Sequence, residues 1–253
     1  MDFSKLVARF RGDGVTAIAL AGSFARGDAG KFSDVDLICF RDANSPTRDA
    51  ETDLIDQRFV VANHVTPTQV ADWFSLPDEA SAWIAGIRSA CPLWDPQGDF
   101  AAIQQRANDF VWDDAMQAQA NAWASAQMVG WIEEAQKGLA GLRRNDEGRL
   151  LNARYGLSWG LLNVMRVQRG VLISSDNRTY AEVVQSLGCD SDWARLSRQT
   201  FGVAGNASLR EQVAAGLQLY LLTAELLAEA IQPEHGPLIE AIVCRIGSEM
   251  NVN

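Results

Sequence analysis

The chain has 253 residues, of which 47% are apolar and 21% charged, so it can form one or two domains with a buried core. Its formal net charge of −10 disfavours a nucleic-acid polymer as substrate, because such substrates usually need a basic groove. No uncharged apolar run reaches the roughly 18 residues of a membrane span. The first residues also have no signal-peptide core, so we expect a cytoplasmic protein without membrane contact.

The first hundred residues read as a mixture of strands and helices. Apolar runs predict strands over residues 15–21 and 35–40, and FVVANHV predicts a third over 59–65. Thr66 as N-cap and Pro67 at the first helical position predict a helix through residue 74. A helix over 3–11 and short segments at 82–90 and 91–94 complete this part.

Proline placement divides the chain. Five of its seven prolines precede residue 97, and none lies between residues 97 and 232, as expected of a helical domain. We therefore predict an α+β fold, with a small mixed sheet and helices in residues 1–98 and an all-helical C-terminal bundle in 99–253. The predicted helices of the bundle are 100–109, 114–142, 149–169, 180–187, 208–231 and 237–250.

The stretch GSFARGDAGKFSDVDL carries the chemistry. Asp34 and Asp36 should share one face of a strand, where two carboxylates can hold a hard cation such as Mg²⁺. Gly22 would let the backbone approach a phosphate, and Ser23 offers a hydroxyl and an N–H group. Arg26 adds guanidinium donors suited to phosphate oxygens. Together they predict a site for a nucleoside triphosphate, such as ATP, with its metal.

Three alternatives explain these residues less well. A P-loop would use Gly30-Lys31, but Ala25 stands where its first glycine belongs and Phe32 where its hydroxyl residue belongs. A Rossmann fingerprint is absent from the sequence. An ordinary hairpin with surface aspartates would explain a lone D-x-D, but not the accompanying Gly-Ser pair and arginine. The four scattered cysteines and two histidines make a zinc site improbable.

The motif resembles the signature of the nucleotidyltransferase superfamily that includes DNA polymerase beta, especially its kanamycin (aminoglycoside 4′-) nucleotidyltransferase branch. Ser33-Asp34-Val35-Asp36 matches the Ser-Asp-x-acid step of that branch, which implies that Ser33 contacts the nucleotide. Shorter similarities lie at residues 56–65, 92–95 and 132–137, so the resemblance touches roughly the first 140 residues. It implies an NTP co-substrate and Mg²⁺.

One expected acid is missing. Members of the superfamily commonly have a third carboxylate on the next strand, where the resemblance places Val61 in this chain. Two carboxylates can still hold one metal with the nucleotide, but a second metal would be poorly held. Asn63 and His64 lie near this position; His64 could be a polar substitute, although we favour a structural role for it.

The resemblance also implies a general base on a downstream helix. Matching the pattern E-x-A-x-K gives Glu133 as the base and Lys137 as a phosphate contact. Helical periodicity places Glu134 beside an apolar stripe and Glu133 away from it, so either glutamate could serve, with Glu133 preferred. The alternative is a surface ion pair, because Glu133 and Lys137 are four residues apart in the favourable order.

We therefore expect an enzyme that transfers AMP, or another NMP, to a hydroxyl group of a small molecule. An antibiotic such as an aminoglycoside or a lincosamide would suit the acidic chain, although many proteins are acidic for solubility alone. The resemblance also implies a possible homodimer. Two alternatives remain: an antitoxin-like enzyme that modifies proteins, and an inactive regulatory relative that only binds nucleotide.

Overall fold

The computed structural model describes residues 2–250, which form two compact units. The first unit contains the chain up to Trp112 together with Leu172–Asp176. The second contains Asp113–Val171 and the chain from Asn177 onward. The fold is α+β as predicted, with a mixed sheet in the first unit and helices in the second.

The first unit combines five strands with five helices among the residues described. Its elements in chain order are α1 (Phe3–Phe10), β1 (Val15–Ala21), α2 (Gly22–Arg26), β2 (Val35–Arg41), β3 (Glu51–Ile55), β4 (Arg58–Val65), α3 (Pro67–Asp72), α4 (Pro77–Ser89), β5 (Cys91–Trp94) and α5 (Asp99–Asp109). The predicted helix after Thr66 begins with the full capping box that its sequence indicates. Two elements, α2 and β3, were absent from the sequence-based prediction.

The sheet has the strand order β3-β4-β2-β1-β5. Strand β2 is antiparallel to β1 and parallel to β4, whereas β3 and β4 form an antiparallel hairpin. The turn of this hairpin is Asp56-Gln57, and both residues have positive φ angles, 49° and 62°. Two positive φ angles in a two-residue turn match the twist of the flanking strands.

Apolar side chains cover the two faces of the sheet differently. On one face, Leu37 and Val60 pack with Leu6 and Phe10 of α1. On the other, the ring of Phe40 lies 5.5 Å from that of Phe100 in α5. These packed regions leave the beginning of β2 and β4 less covered, which is where the polar residues of the motif lie.

Helix α5 lies in the first unit, whereas the sequence analysis placed the domain boundary before it, at residues 98 and 99. Its Phe100 is fully buried. Arg88 of α4 donates hydrogen bonds to the carbonyl oxygens of Ala107 (2.8 Å) and Phe110 (2.9 Å). The units divide after Trp112 because these contacts tie α5 to α4.

A later segment, Leu172–Asp176, returns to the first unit. The N–H group of Ile173 donates to the carbonyl oxygen of Ser81 (3.0 Å), and the Ile173 side chain is buried. Arg26 of α2 donates to the carbonyl oxygen of Ser174 (3.2 Å). This segment therefore lies beside the motif although it is about 150 residues away in sequence.

The second unit is helical throughout its regular elements in the described residues. These are α6 (Asp114–Gly130), α7 (Ile132–Arg144), α8 (Glu147–Tyr155), a π-helical turn (Gly156–Gly160), α9 (Leu161–Gln168), a 3₁₀ turn (Asp176–Arg178), α10 (Thr179–Leu187), α11 (Asp192–Thr200), α12 (Leu209–Leu226) and α13 (Gly236–Met250). The predicted helix over 114–142 is two helices, which meet at Trp131. Helix α11 was not predicted.

Buried aromatic side chains hold these helices together. Trp193 and Tyr220 are both at most 1% exposed. The Trp193 indole N–H donates to Thr223 Oγ1 (3.0 Å), and the Tyr220 hydroxyl donates to the carbonyl oxygen of Met128 (2.8 Å). Their polar atoms are thus satisfied inside the core. Across residues 2–250, every helix is too short or too polar to span a membrane.

Candidate functional site

The two aspartates of the motif lie at the start of β2. Asp36 is half-buried and is paired in register with Ala21 of β1 and Val61 of β4. Asp34 immediately precedes the strand and is exposed. Asp34 lies one residue outside the strand, so a shared face for the two carboxylates stays a prediction from the spacing, although the charge of Asp34 does act on Asp36.

Burial and neighbouring charges both act on the Asp36 carboxyl group. Burial raises the pKa of the Asp36 carboxyl above its ordinary value, and the negative charge of Asp34 raises it further. The guanidinium group of Arg26 opposes this rise, while Asp176, at the end of the returning segment, adds to it. A cation bound between the carboxylates would relieve their repulsion.

Gly22 makes room for the Asp36 carboxylate. Its φ angle is +63°, and a Cβ atom built at this position would overlap the Oδ2 atom of Asp36. The position therefore requires glycine for two reasons, backbone conformation and space. The sequence analysis expected Gly22 to admit a phosphate, and it missed this contact because the contact depends on the pairing of β1 with β2.

The Gly-Ser pair opens α2, a short helix that ends at Arg26. N–H groups in the first turn of a helix have no partners within that helix, so they can receive oxygen atoms of a ligand. The Ser23 hydroxyl has no hydrogen-bond partner within residues 2–250. Ser23 therefore has a free hydroxyl at this position, consistent with its predicted role.

Arg26 is held in place but retains free donors. Its side chain is 20% exposed and pairs with Asp28, at 3.4 Å between Nη2 and Oδ1. Nη1 donates to the carbonyl oxygen of Ser174 (3.2 Å), and Nε donates to Asp28 (3.5 Å). A guanidinium group has five N–H donors, so some remain for a phosphate oxygen.

Ser33 organises the loop that leads to the aspartates. Its hydroxyl accepts a hydrogen bond from the N–H group of Gly30 (2.8 Å), and its carbonyl oxygen accepts one from Arg58 (3.1 Å). The guanidinium group of Arg58 also lies 5.3 Å from the centre of the Phe24 ring. A nucleotide contact by Ser33 stays a prediction; its observed bonds fix the approach to Asp34.

The third acid is missing in the structure as in the sequence. Val61 is the neighbour of Asp36 on β4, whereas His64 pairs with Cys39 and so points to the opposite face. His64 is 1% exposed and lies 2.7 Å from Glu51 Oε1. It is therefore a structural residue, as favoured above. Within residues 2–250, no three His, Cys, Asp or Glu side chains converge in a way that could hold a metal ion.

The two glutamates of α7 occupy different environments. Glu133 is 74% exposed and Glu134 is 17% exposed, which agrees with the predicted periodicity of the helix. Lys137 Nζ contacts both, at 2.9 Å from Glu133 Oε1 and 2.8 Å from Glu134 Oε1. Hydrogen bonds to Glu134 and then Glu133 raise the pKa of Lys137. Both predicted residues are thus engaged in an ion-pair group.

The sequence analysis did not predict the π-helical turn, whose first glycine packs against Glu134. A Cβ atom at Gly156 would lie 2.5 Å from Glu134 Cγ, and one at Gly160 would overlap the Trp131 ring. These glycines begin and end the π-helical turn. Such turns are frequent at functional sites, and a glycine pair four residues apart is the signal that could have drawn attention here.

The structure brings part of the predicted site together. The first unit contains the predicted phosphate and metal residues, namely Gly22, Ser23, Arg26, Ser33, Asp34 and Asp36. Glu133 and Lys137 belong to the second unit, where they contact each other. Their participation in the same site stays a prediction.

Two comparisons with known proteins bear on this geometry. Residues 3–72 match the family model of a nucleotidyltransferase domain. The fold resembles the crystal structure of a nucleotidyltransferase-like protein from Exiguobacterium sibiricum 255-15, with a TM-score of 0.51. The sequences are 13% identical, and the match covers 90% of this chain and 73% of that chain. A comparison with curated proteins gave no match.

The family-model match supports a relation of residues 3–72 to the nucleotidyltransferase superfamily. The structural match supports a nucleotidyltransferase-like fold. The matched residues 3–72 contain the motif from Gly22 to Asp36. The particular resemblance to kanamycin nucleotidyltransferase is not confirmed and stays a prediction.

Proposed function

We propose that the protein transfers a nucleoside monophosphate from a nucleoside triphosphate to a hydroxyl group of a small molecule. The observation that carries this proposal is the apposition of Gly22 and Asp36, which sets the Asp36 carboxylate against the start of α2. The match to a nucleotidyltransferase domain supports the same chemistry.

Each residue of the first unit has a role in this proposal. Ser23 and the first turn of α2 bind the β- and γ-phosphates, and Arg26 adds charge-assisted hydrogen bonds. Asp34 and Asp36 would hold Mg²⁺, which would neutralise charge on the phosphates. The raised pKa of Asp36 and its closeness to Asp34 fit a cation there. Ser33 fixes the loop that presents Asp34.

The proton of the attacking hydroxyl needs an acceptor. We assign this role to Glu133, because its side chain is 74% exposed and can reach a substrate, whereas that of Glu134 is largely buried. Lys137 would contact a phosphate and, through its ion pair with Glu133, position that side chain. The ion pair between Glu133 and Lys137 fits this arrangement, although it would also suit a purely structural role.

The resemblance to kanamycin nucleotidyltransferase favours an antibiotic acceptor, such as an aminoglycoside or lincosamide, and a homodimer. The acidic composition of the chain also suits a cationic antibiotic. A cytoplasmic location is part of the same proposal. A second candidate function is nucleotide binding without turnover, which the valine at position 61 favours because it leaves only two carboxylates beside the phosphates.

Mass spectrometry of small hydroxyl compounds incubated with the protein, ATP and Mg²⁺ tests the proposal. We expect one acceptor to gain the mass of AMP, and we expect Asp36→Asn to remove that product. Labelling of a protein instead would indicate the antitoxin-like alternative. Nucleotide binding without transfer to any compound of a broad panel would favour the inactive relative.

A further inference from the structure

An apolar surface adjoins the aspartate pair on the side of β4. Val61 is the neighbour of Asp36, and Phe59 lies two residues earlier on the same face of β4. Leu54 of β3 is paired in register with Phe59, so its side chain shares that face. We call Leu54, Phe59 and Val61 the β3–β4 platform.

The exposure of the platform sets it apart from an ordinary solvated sheet face. Phe59 is 63% exposed and Leu54 is 67% exposed. The outward positions of a solvated strand are usually polar, and single exposed apolar residues need no explanation. Here two large apolar side chains are cross-strand neighbours, and they continue directly into the carboxylate site.

The strand order gives this platform a position in the reaction. In the sheet, β2 with its aspartates separates β1 and α2 from β4 and β3. In the proposed function, α2 holds the phosphates that leave as pyrophosphate. Attacking and leaving oxygens lie roughly in line in phosphoryl transfer, so the acceptor approaches from the side opposite α2. That side is the β3–β4 platform.

We propose that the platform binds the acceptor through an apolar ring next to the reacting hydroxyl. Resting on the proposed function, this inference specifies the acceptor as a weakly charged hydroxyl compound with an aromatic or hydrocarbon-rich face. A phenylalanine ring binds such a face by stacking. The platform residues Leu54, Phe59 and Val61 carry no charge with which to bind a polycationic amino sugar.

A matched pair of ligands tests the inference independently of turnover. Phenyl β-D-glucoside and methyl β-D-glucoside present the same sugar hydroxyls with and without an aromatic ring. Ligand-observed NMR titration of the full chain with ATP and Mg²⁺ gives their dissociation constants. We expect the phenyl compound to bind about fivefold more tightly, as one aromatic contact implies.

Phe59→Ser should abolish this preference by weakening the binding of the phenyl compound. Because Phe59 is largely exposed, the variant should keep the wild-type melting temperature. Val111→Ser is the matched control, since Val111 is 73% exposed and lies outside the sheet. Equal binding of the two glucosides to the wild-type protein would overturn the inference, and so would an unchanged preference in Phe59→Ser.

The results separate this inference from the proposed function. Suppose that wild type and Phe59→Ser transfer AMP to kanamycin at the same rate and that neither prefers the phenyl glucoside over the methyl glucoside. The inference would then be overturned, and the proposed transferase activity would stand. A ring preference that depends on Phe59, without transfer to any compound, would support the platform and refute the transferase. A change of oligomeric mass in Phe59→Ser, measured by light scattering, would assign the platform to a subunit contact and overturn the inference.

Discussion

Replacing Gly22 by alanine tests the central contact of the site. The residue has a φ angle of +63°, where a non-glycine residue costs about 1–2 kcal/mol. In a protein of this size, 1 kcal/mol lowers the melting temperature by roughly 2–4 °C, so the backbone alone accounts for about 2–8 °C. The new Cβ atom would also occupy the position of Asp36 Oδ2, so the carboxylate must move.

Gly27→Ala separates these two effects. Gly27 also has a positive φ angle, +79°, but a Cβ atom there would meet no atom within 4 Å. Both variants should therefore show the backbone cost, and only Gly22→Ala should displace Asp36. Displacing a catalytic group by about 1 Å can reduce activity 10²-fold, so we expect a loss of that order in Gly22→Ala and near-normal transfer in Gly27→Ala.

The assay combines thermal unfolding with calorimetric titration of ATP and Mn²⁺ into each variant. Gly22→Ala should unfold at a lower temperature than Gly27→Ala and should bind the metal–nucleotide complex much more weakly. If the two variants bind it equally well, the apposition of Gly22 and Asp36 has no functional role. The reasoning that places the nucleotide at this contact would then be refuted.

Four further variants test the charges of the site. Burial and Asp34 raise the pKa of Asp36, so ionisation of Asp36 destabilises the fold as the pH rises through the raised value. We expect Asp36→Asn to increase the melting temperature at neutral pH. This gain should vanish below the ordinary pKa of 3.8, where the aspartate is protonated in both the folded and the unfolded chain. A lower melting temperature of the variant at neutral pH would contradict this. Val61→Glu should strengthen Mn²⁺ binding in a calorimetric titration, and unchanged affinity would show that position 61 does not face the metal. Glu133→Gln should slow single-turnover transfer without changing the melting temperature, whereas a larger kinetic loss in Glu134→Gln would move the base to the buried glutamate.

The central strands were predictable because their sequences are apolar on both faces. The runs at Val15–Ala21 and Val35–Arg41 lie between other strands and are almost wholly buried. Strand β3, Glu51–Ile55, was not predicted. It is an edge strand with alternate side chains exposed, so its pairing with β4 leaves little trace in its hydrophobicity.

Helix boundaries in the second unit were less predictable for a similar reason. Helices α6 and α7 meet at Trp131, whose backbone remains in the right-handed helical region. The sequence has no proline at this point to indicate the break. Helix α11 has a polar sequence, DWARLSRQT, but it buries Trp193 and Leu196 on one side. In both places, packing of the unit decides the local structure more than propensity does.

The spacing of the motif predicted that Asp34 and Asp36 act together, and the charge of Asp34 does raise the pKa of Asp36 in the structure. The role of Gly22 could not be predicted in the same way. It requires the register that pairs Ala21 with Asp36, and this register is set by the whole sheet. The contribution of Asp176 likewise depends on a segment that returns to the first unit after a long excursion.

Val61 belongs to both the carboxylate site and the proposed acceptor platform. The same side chain that leaves the site with two carboxylates also begins the apolar platform toward Phe59. A hydroxyl placed on that platform would have no acid of β4 beside it, so its proton must pass to another group, such as Glu133. An enzyme that works this way should lose transfer when Glu133 is replaced by glutamine, while its binding of an aromatic acceptor should remain. A protein that only binds nucleotide would show no transfer at any pH.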